Sequence, residues 1–333
     1  METLEIYDMP SWSVVSKLSS SPDSKTFEAI NNSSKRKVIL KVSSIPTAAE
    51  LAFIRETMDE AEAEKCLEYM VGEKKREFAL QDEFVLDDYI VNLELHDIRK
   101  KSEGFGYDLI VRSEMLISLE KLISRKNQDG QGFNMEEIVK LGLDICKALV
   151  TLHRKNVMHR DIKPSKIFLD TDGNYKLGDF STAVRVGKEV ADHLLVGSLE
   201  YMAPEVLNRG NYDFTVDLYS LGIVLKNLLG EWSTLPAEMQ TILWKSTSSK
   251  ENRFLDANDM LKHLAIFSAT LKSNVTLSDS SGSRRIGIIA KETDKNPIVG
   301  VRDATELLGD NPYKTINENS IFFKFKKTEP EAK

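Results

Sequence analysis

The chain has 333 residues, 41% hydrophobic and 29% charged, enough to bury a real core and divide into two or three compact units. No run of about 18 apolar residues is present, and the acidic start METLEIYDMPSW lacks the basic-then-apolar pattern of a signal peptide, so a cytoplasmic protein away from membranes is expected. A net charge of −7 leaves no basic footprint, so no nucleic-acid partner is expected.

In chain order, the first part reads as short β-rich runs: WSVVSKL, KTFEAI, KVILKV, YIVNLEL and YDLIVRSE. Between the third and fourth runs lies an acidic, Ala/Glu/Met-rich stretch from Thr47 to Phe84 that reads as one long helix. A small sheet with an inserted helix follows from this. From Leu119 to Phe267 the pattern turns mostly helical. Asn134 with Glu137 three residues on is a capping box, Phe133 can staple onto Ile138, and Ile138, Leu141, Ile145, Leu149 and Leu152 mark one buried face. Cys66 and Cys146 fall in helix-like segments without metal-ligand spacing, which suits packing residues in a reducing compartment. Near Lys272 the Ser-rich SNVTLSDSSGS reads as a linker, and RRIGIIAKE, NPIVGVRDATELL and SIFFKFKK beyond it read as a small β-rich extension.

Three motifs carry chemistry: VMHRDIKPSK at 157–166, LGDFS at 177–181 and YMAPEVL at 201–207. Phosphoryl transfer needs cations near the phosphates, a carboxylate near the attacking hydroxyl and oxygens that chelate magnesium, and these motifs stand in the order that supplies them. Over roughly residues 10–268 the chain resembles the protein kinase family. The fold class implied is α+β: a two-lobed kinase fold with a β-rich N-lobe at 10–116 and a mainly helical C-lobe at 117–268. A Ser-rich linker at 269–283 and a small α/β extension at 284–333 complete the expected domains. The segment SIPTAAELAFIRETMDEAEAEKCLEYMVGEKKREFALQDEF before DDYIVNLELHDI, then YDLIVRSEMLISLEKLI, looks most like a group of bacterial serine/threonine kinases.

The resemblance implies that Asp161 orients the substrate hydroxyl, Lys163 neutralises the transferring phosphate and Asp179 chelates magnesium. It also implies that Lys41 pairs the ATP phosphates with Glu77 as its helix partner. His159, Arg160 and Phe180 are structural neighbours of this set. Glu205 should pair with Arg253, and Asp217 should anchor the catalytic loop from below. Thr182 and Ser198 are candidate phosphosites, as is Ser181, with Arg160 positioned to read a phosphate.

Several positions depart from the family pattern. The phosphate loop is Leu18-Ser19-Ser20-Ser21-Pro22-Asp23-Ser24, so Ser19, Ser21 and Ser24 replace glycines whose backbone should approach phosphates, Pro22 removes an amide and Asp23 adds a negative charge. Lys166 stands where an asparagine would ligate the second magnesium, and an ammonium cannot ligate a cation, although it could replace the metal's charge. Ser181 replaces the glycine of Asp-Phe-Gly. Ile39 replaces the small residue that roofs the adenine, with Phe168 expected beneath the base, whereas Ser113 before Glu114 opens the back of the pocket. Gln81 puts an amide where an apolar residue is expected. The segment after Leu229 is short, which puts peptide docking in doubt and should leave an apolar face near Trp232 and Leu235 for the C-terminal extension to cover.

Two readings follow. In the first the chain is a pseudokinase, a regulator or scaffold with impaired ATP and Mg2+ binding that acts through a protein partner. In the second it is an active or slow ATP-dependent serine/threonine kinase, because Lys41, Glu77, Asp161, Lys163 and Asp179 all survive. Those five could equally be kept as structural ion pairs. A small-molecule kinase is a weaker third, since such relatives usually lack the Ala203-Pro204-Glu205 segment.

Overall fold

The computed structural model describes residues 3–4, 9–187 and 197–278. They form two compact units that part between Leu116 and Ile117. The expected extension at 284–333 lies outside the described residues.

The first unit is a six-stranded sheet in the order β1-β2-β3-β4-β6-β5. Its strands are β1 (Thr3–Leu4), β2 (Met9–Ser20), β3 (Ser24–Asn31), β4 (Lys37–Ile45), β5 (Leu93–Lys100) and β6 (Tyr107–Ser113). Every pairing is antiparallel. Alternation along β4 sends Val38, Leu40 and Val42 into a cluster with Met9, Ala29 and Ile110. That leaves Ile39 and Lys41 on the other face of the strand.

Two helices fill the gap between β4 and β5, α1 (Ala48–Thr57) and α2 (Glu60–Asp82). The single helix expected over 47–84 is therefore broken. Met58 is extended, and Asp59 starts a fresh helix with a reciprocal capping box to Glu62. Local capping satisfies orphan N–H groups at the break that a continuous helix would have bonded internally. Ala63, Cys66, Leu67, Met70 and Phe78 of α2 pack with Ile45, Ile54 and Leu109.

In the second unit, β7 (Leu116–Ser118), β9 (Ile167–Asp170) and β10 (Tyr175–Leu177) form one small sheet, and β8 (Val157–Met158) pairs with β11 (Val184–Arg185). The helices are α3 (Leu119–Gln128), α4 (Met135–Arg154), α5 (Pro204–Leu207), α6 (Thr215–Leu228), α7 (Ala237–Ser246) and α8 (Ala257–Ser278). The Asn134–Glu137 capping box opens α4, and Leu141, Ile145, Leu149 and Leu152 are fully buried. Gly142 lets α8 and α6 approach, because a Cβ there would lie 3.1 Å from Leu264 and 3.3 Å from Leu225.

Two further differences from the sequence reading stand out. Helix α8 continues to Ser278, ten residues into the span expected as linker, since no Gly or Pro interrupts the chain before Gly282. Between α6 and α7 the chain makes only a short 3-10 turn at Trp232–Thr234, and Leu235 is buried there while Trp232 stays 45% exposed. The turn folds Leu235 inward, so the expected apolar face narrows to the indole. Among the described residues no helix is long and apolar enough to cross a membrane. Both cysteines are free and buried, and burial pushes their thiols up, Cys66 to about 11.

Candidate functional site

The site residues of the second unit are organised by Asp217, fully buried in the first turn of α6. Its Oδ2 accepts from the His159 N–H at 3.0 Å and its Oδ1 from the Arg160 N–H at 2.8 Å. His153 Nε2 donates to Oδ2 from 3.0 Å. Burial alone would raise the Asp217 carboxyl, but the hydrogen bond and charge of His153, together with His159, hold it below its ordinary value. Burial pushes His159 below its usual value despite the opposing charge of Asp217, so the ring is neutral at pH 7. The imidazole lies 3.2 Å from the Gly178 carbonyl and edge-on to Phe180, itself 1% exposed. Positive φ at Arg160 (66°) and Asp179 (64°) marks the two sharp bends at which the loop and the turn meet this anchor.

Around that anchor four charged groups converge. Lys163 Nζ lies 3.1 Å from Asp161 Oδ2 and donates to Ser198 Oγ at 2.7 Å. Lys166, 8% exposed on the 3-10 turn Pro164–Lys166, contacts Asp179 Oδ2, lies 3.7 Å from Asp161 Oδ2 and donates to Ser181 Oγ at 3.3 Å. Ser181 Oγ donates in turn to Asp179 Oδ1 at 2.7 Å. Among the described residues Asp161 Oδ1 is buried with no hydrogen-bond partner, an open acceptor of the kind a hydroxyl-orienting carboxylate needs.

The candidate phosphosites are tied to the same loop. Thr182 Oγ1 donates to the His159 carbonyl at 2.9 Å, and Arg160 Nε donates to the Thr182 carbonyl at 2.8 Å. Arg160 thus braces backbone through Nε, and its Nη1 donates to the Tyr212 hydroxyl at 3.4 Å. Gly197 (φ 115°) passes so close that a Cβ would lie 2.4 Å from the Arg160 carbonyl oxygen, a contact only glycine allows. Elsewhere in the second unit, Arg253 grips Glu205 through its two terminal guanidinium nitrogens, at 2.5 and 3.1 Å, and also donates to the carbonyls of Thr215 and Ser248.

The other residues expected at the site lie, Phe168 aside, in the first unit. The serine stretch is a tight hairpin: Ser21 N–H donates to the Ser24 carbonyl at 2.8 Å, and Ser24 N–H to Ser21 Oγ at 3.1 Å. Two amides at expected glycine positions are therefore consumed inside the turn, and Pro22 has none. Ser19 pairs with Thr26 across the hairpin. The expected position of Asp23 is corrected. Its carboxylate accepts from the Ala48 N–H at the start of α1, because the unpaired amides and positive dipole end of a helix attract an acidic side chain.

Lys41 is exposed on β4, opposite Thr26 of β3 and Val111 of β6. The expected Lys41–Glu77 pair is also corrected, since Glu77 is instead bound by Lys74, one turn earlier on α2, at 2.7 Å. A partner three residues away on the same helix needs no strand to approach, and it satisfies the carboxylate locally. Among the described residues Lys41 makes no ion pair. Gln81 is buried, and its amide nitrogen donates to the Val91 carbonyl at 2.9 Å. Ile39 is half-buried between Glu28 and Ser113, and Ser113 Oγ donates to the neighbouring Glu114 carbonyl at 3.2 Å. Phe168 is half-buried on β9, in the second unit, paired with Lys176.

Sequence reasoning missed the Asp217 contact of His153, the way Lys74 captures Glu77, and Gly197. His153 could have been noticed six residues ahead of His159 at the end of a helix, but nothing in its spacing names Asp217. Among the described residues no group of three or more His, Cys, Asp or Glu side chains is arranged to hold a metal.

Residues 23–280 match the family model described as protein kinase domain. Similar curated proteins include eIF-2-alpha kinase GCN2 of Schizosaccharomyces pombe, 34% identical over 42% of this chain and 10% of that protein. Serine/threonine-protein kinase PAK 5 of Rattus norvegicus is 44% identical over 29% of this chain and 14% of its own length. Serine/threonine-protein kinase AtPK1/AtPK6 of Arabidopsis thaliana is 37% identical over 30% and 22%. The chain thus spans less than a quarter of the length of these relatives.

Proposed function

This chain belongs to the protein kinase family, and we propose that within it the protein is a pseudokinase, a regulator or scaffold that acts through a protein partner. Kinase domains as a class bind ATP and Mg2+, and the proposal is that this one binds them poorly. The observation that carries it is the serine hairpin. Phosphates are held by backbone amides that point out of the turn, and here the Ser21 and Ser24 amides are spent on each other's residues while Pro22 offers none. The Lys74–Glu77 pair supports the same reading, because it leaves Lys41 without the carboxylate that would position it. The cytoplasmic location and the bacterial likeness belong to this proposal. The likeness rests on the stretches at 44–84, 87–98 and 107–123, and the relatives named above are eukaryotic.

A second reading, a slow serine/threonine kinase, is favoured by one observation, the open Asp161 Oδ1 acceptor. Thermal-shift titration with ATP separates the two. A ligand at about 100 times its Kd stabilises by about 2.7 kcal/mol, a shift of several degrees for a unit this size. The expected result at millimolar ATP is a shift under about 1 °C and no phosphate transfer to protein. A several-degree shift lost in Lys41→Met, with transfer lost in Asp161→Asn, would establish the kinase instead.

A further inference from the structure

The two carboxylates that the family pattern assigns to metal binding and catalysis are already matched by ammonium groups. Asp179 has one oxygen against Lys166 Nζ and the other accepting from Ser181 Oγ at 2.7 Å and from Ser181 N–H at 3.3 Å. Asp161 Oδ2 faces Lys163 at 3.1 Å and Lys166 at 3.7 Å. Formally, among the described residues two positive charges meet two negative ones, a balance that calls for no further cation. A magnesium ion needs near-octahedral oxygen ligands at about 2.1 Å, and to reach Asp179 it would have to displace Lys166 or lie beside it as a like charge. Lys166 has little freedom to leave, because its side chain is 11% exposed and its ammonium also donates to Ser181 Oγ at 3.3 Å. Asp179 keeps part of its carboxylate open to water, with its side chain 43% exposed, so exclusion comes from charge and occupancy rather than from burial. These residues do not fit a magnesium site.

We infer that Lys166 is a resident counter-ion that makes this site refuse divalent cations, and that replacing it alone converts Asp179 and its neighbours into a divalent-cation site. The inference deepens the pseudokinase reading at the same place. It fails separately from that reading, because metal uptake is measured without nucleotide or phosphate transfer.

The test is Mn2+ titration of the full chain, read by loss of the free-ion electron paramagnetic resonance signal. Wild type is expected to leave the signal unchanged. Lys166→Asn should take up Mn2+ with a Kd lower by at least about tenfold, and the added change Asp179→Asn should abolish that uptake. Lys166→Gln, closer in size, is run alongside so that a poorly folded asparagine variant does not decide the question, and each variant is first checked by circular dichroism. Uptake by wild type that Asp179→Asn removes would overturn the inference. So would the absence of uptake by folded Lys166→Asn and Lys166→Gln.

Discussion

Replacing Arg253 by alanine tests how the second unit is held together. The side chain is fully buried, makes two contacts with Glu205 at 2.5 and 3.1 Å, and donates to the carbonyls of Thr215 at 3.2 Å and Ser248 at 3.0 Å. Its removal strands a carboxylate that is only 14% exposed, together with two carbonyls. Breaking a buried pair from one side costs about 3–5 kcal/mol, mostly because the remaining charge stays buried without compensation. At about 2–4 °C per kcal/mol for a unit of this size, the melting temperature should fall by about 6–20 °C. Calorimetry of the full chain measures it. Arg253→Lys keeps the charge but not the two-pronged fork and should recover less than half of the loss. A fall below about 3 °C for alanine, or full recovery by lysine, would refute the view that this fork braces the lobe.

Asp217→Asn should lower the urea midpoint at pH 7. Because the Asp217 pKa is lowered on folding, the stability it provides is complete above the unfolded value, about 4, and is lost as pH falls through the folded value, so the gap between variant and wild type should close in acid. Gly222→Ala should cost about 1–3 kcal/mol, read by urea unfolding, since the new Cβ would lie 2.3 Å from Ser246 Oγ and 2.7 Å from its Cβ where α6 meets α7. Asp23→Ala removes an acceptor from the first turn of α1 and should cost roughly 0.5–1 kcal/mol, about 1–4 °C in a melting curve, while Asp23→Glu should restore part of it.

The family and the order of elements could be read from the motifs because each is a short string whose residues act close together in the chain. The Asn134–Glu137 box and the buried face of α4 were readable for the same reason, as local spacing fixes them. The break at Met58 was also written locally, in Asp59 and Glu62, but the Ala/Glu-rich composition on both sides masked it. What the sequence hid were choices between partners. Glu77 could be offered Lys41 across the fold or Lys74 on its own helix, and spacing alone does not say which wins. Asp23 shows the same limit. A charge beside expected phosphate ligands looks repulsive until a helix start 25 residues later turns out to lie within reach of it.

The two buried cysteines have a use beyond packing. Cys66 sits in the first unit and Cys146 in the second, each 0% exposed and each with its thiol pushed up by burial. A folded chain should therefore be silent to iodoacetamide, and each thiol becomes alkylated only when its own unit opens. With two cysteines in the chain and one in each unit, peptide mass spectrometry of partly labelled protein is a pair of independent stopwatches. Unequal labelling rates mean that the halves breathe separately, and equal rates mean that the protein opens as one.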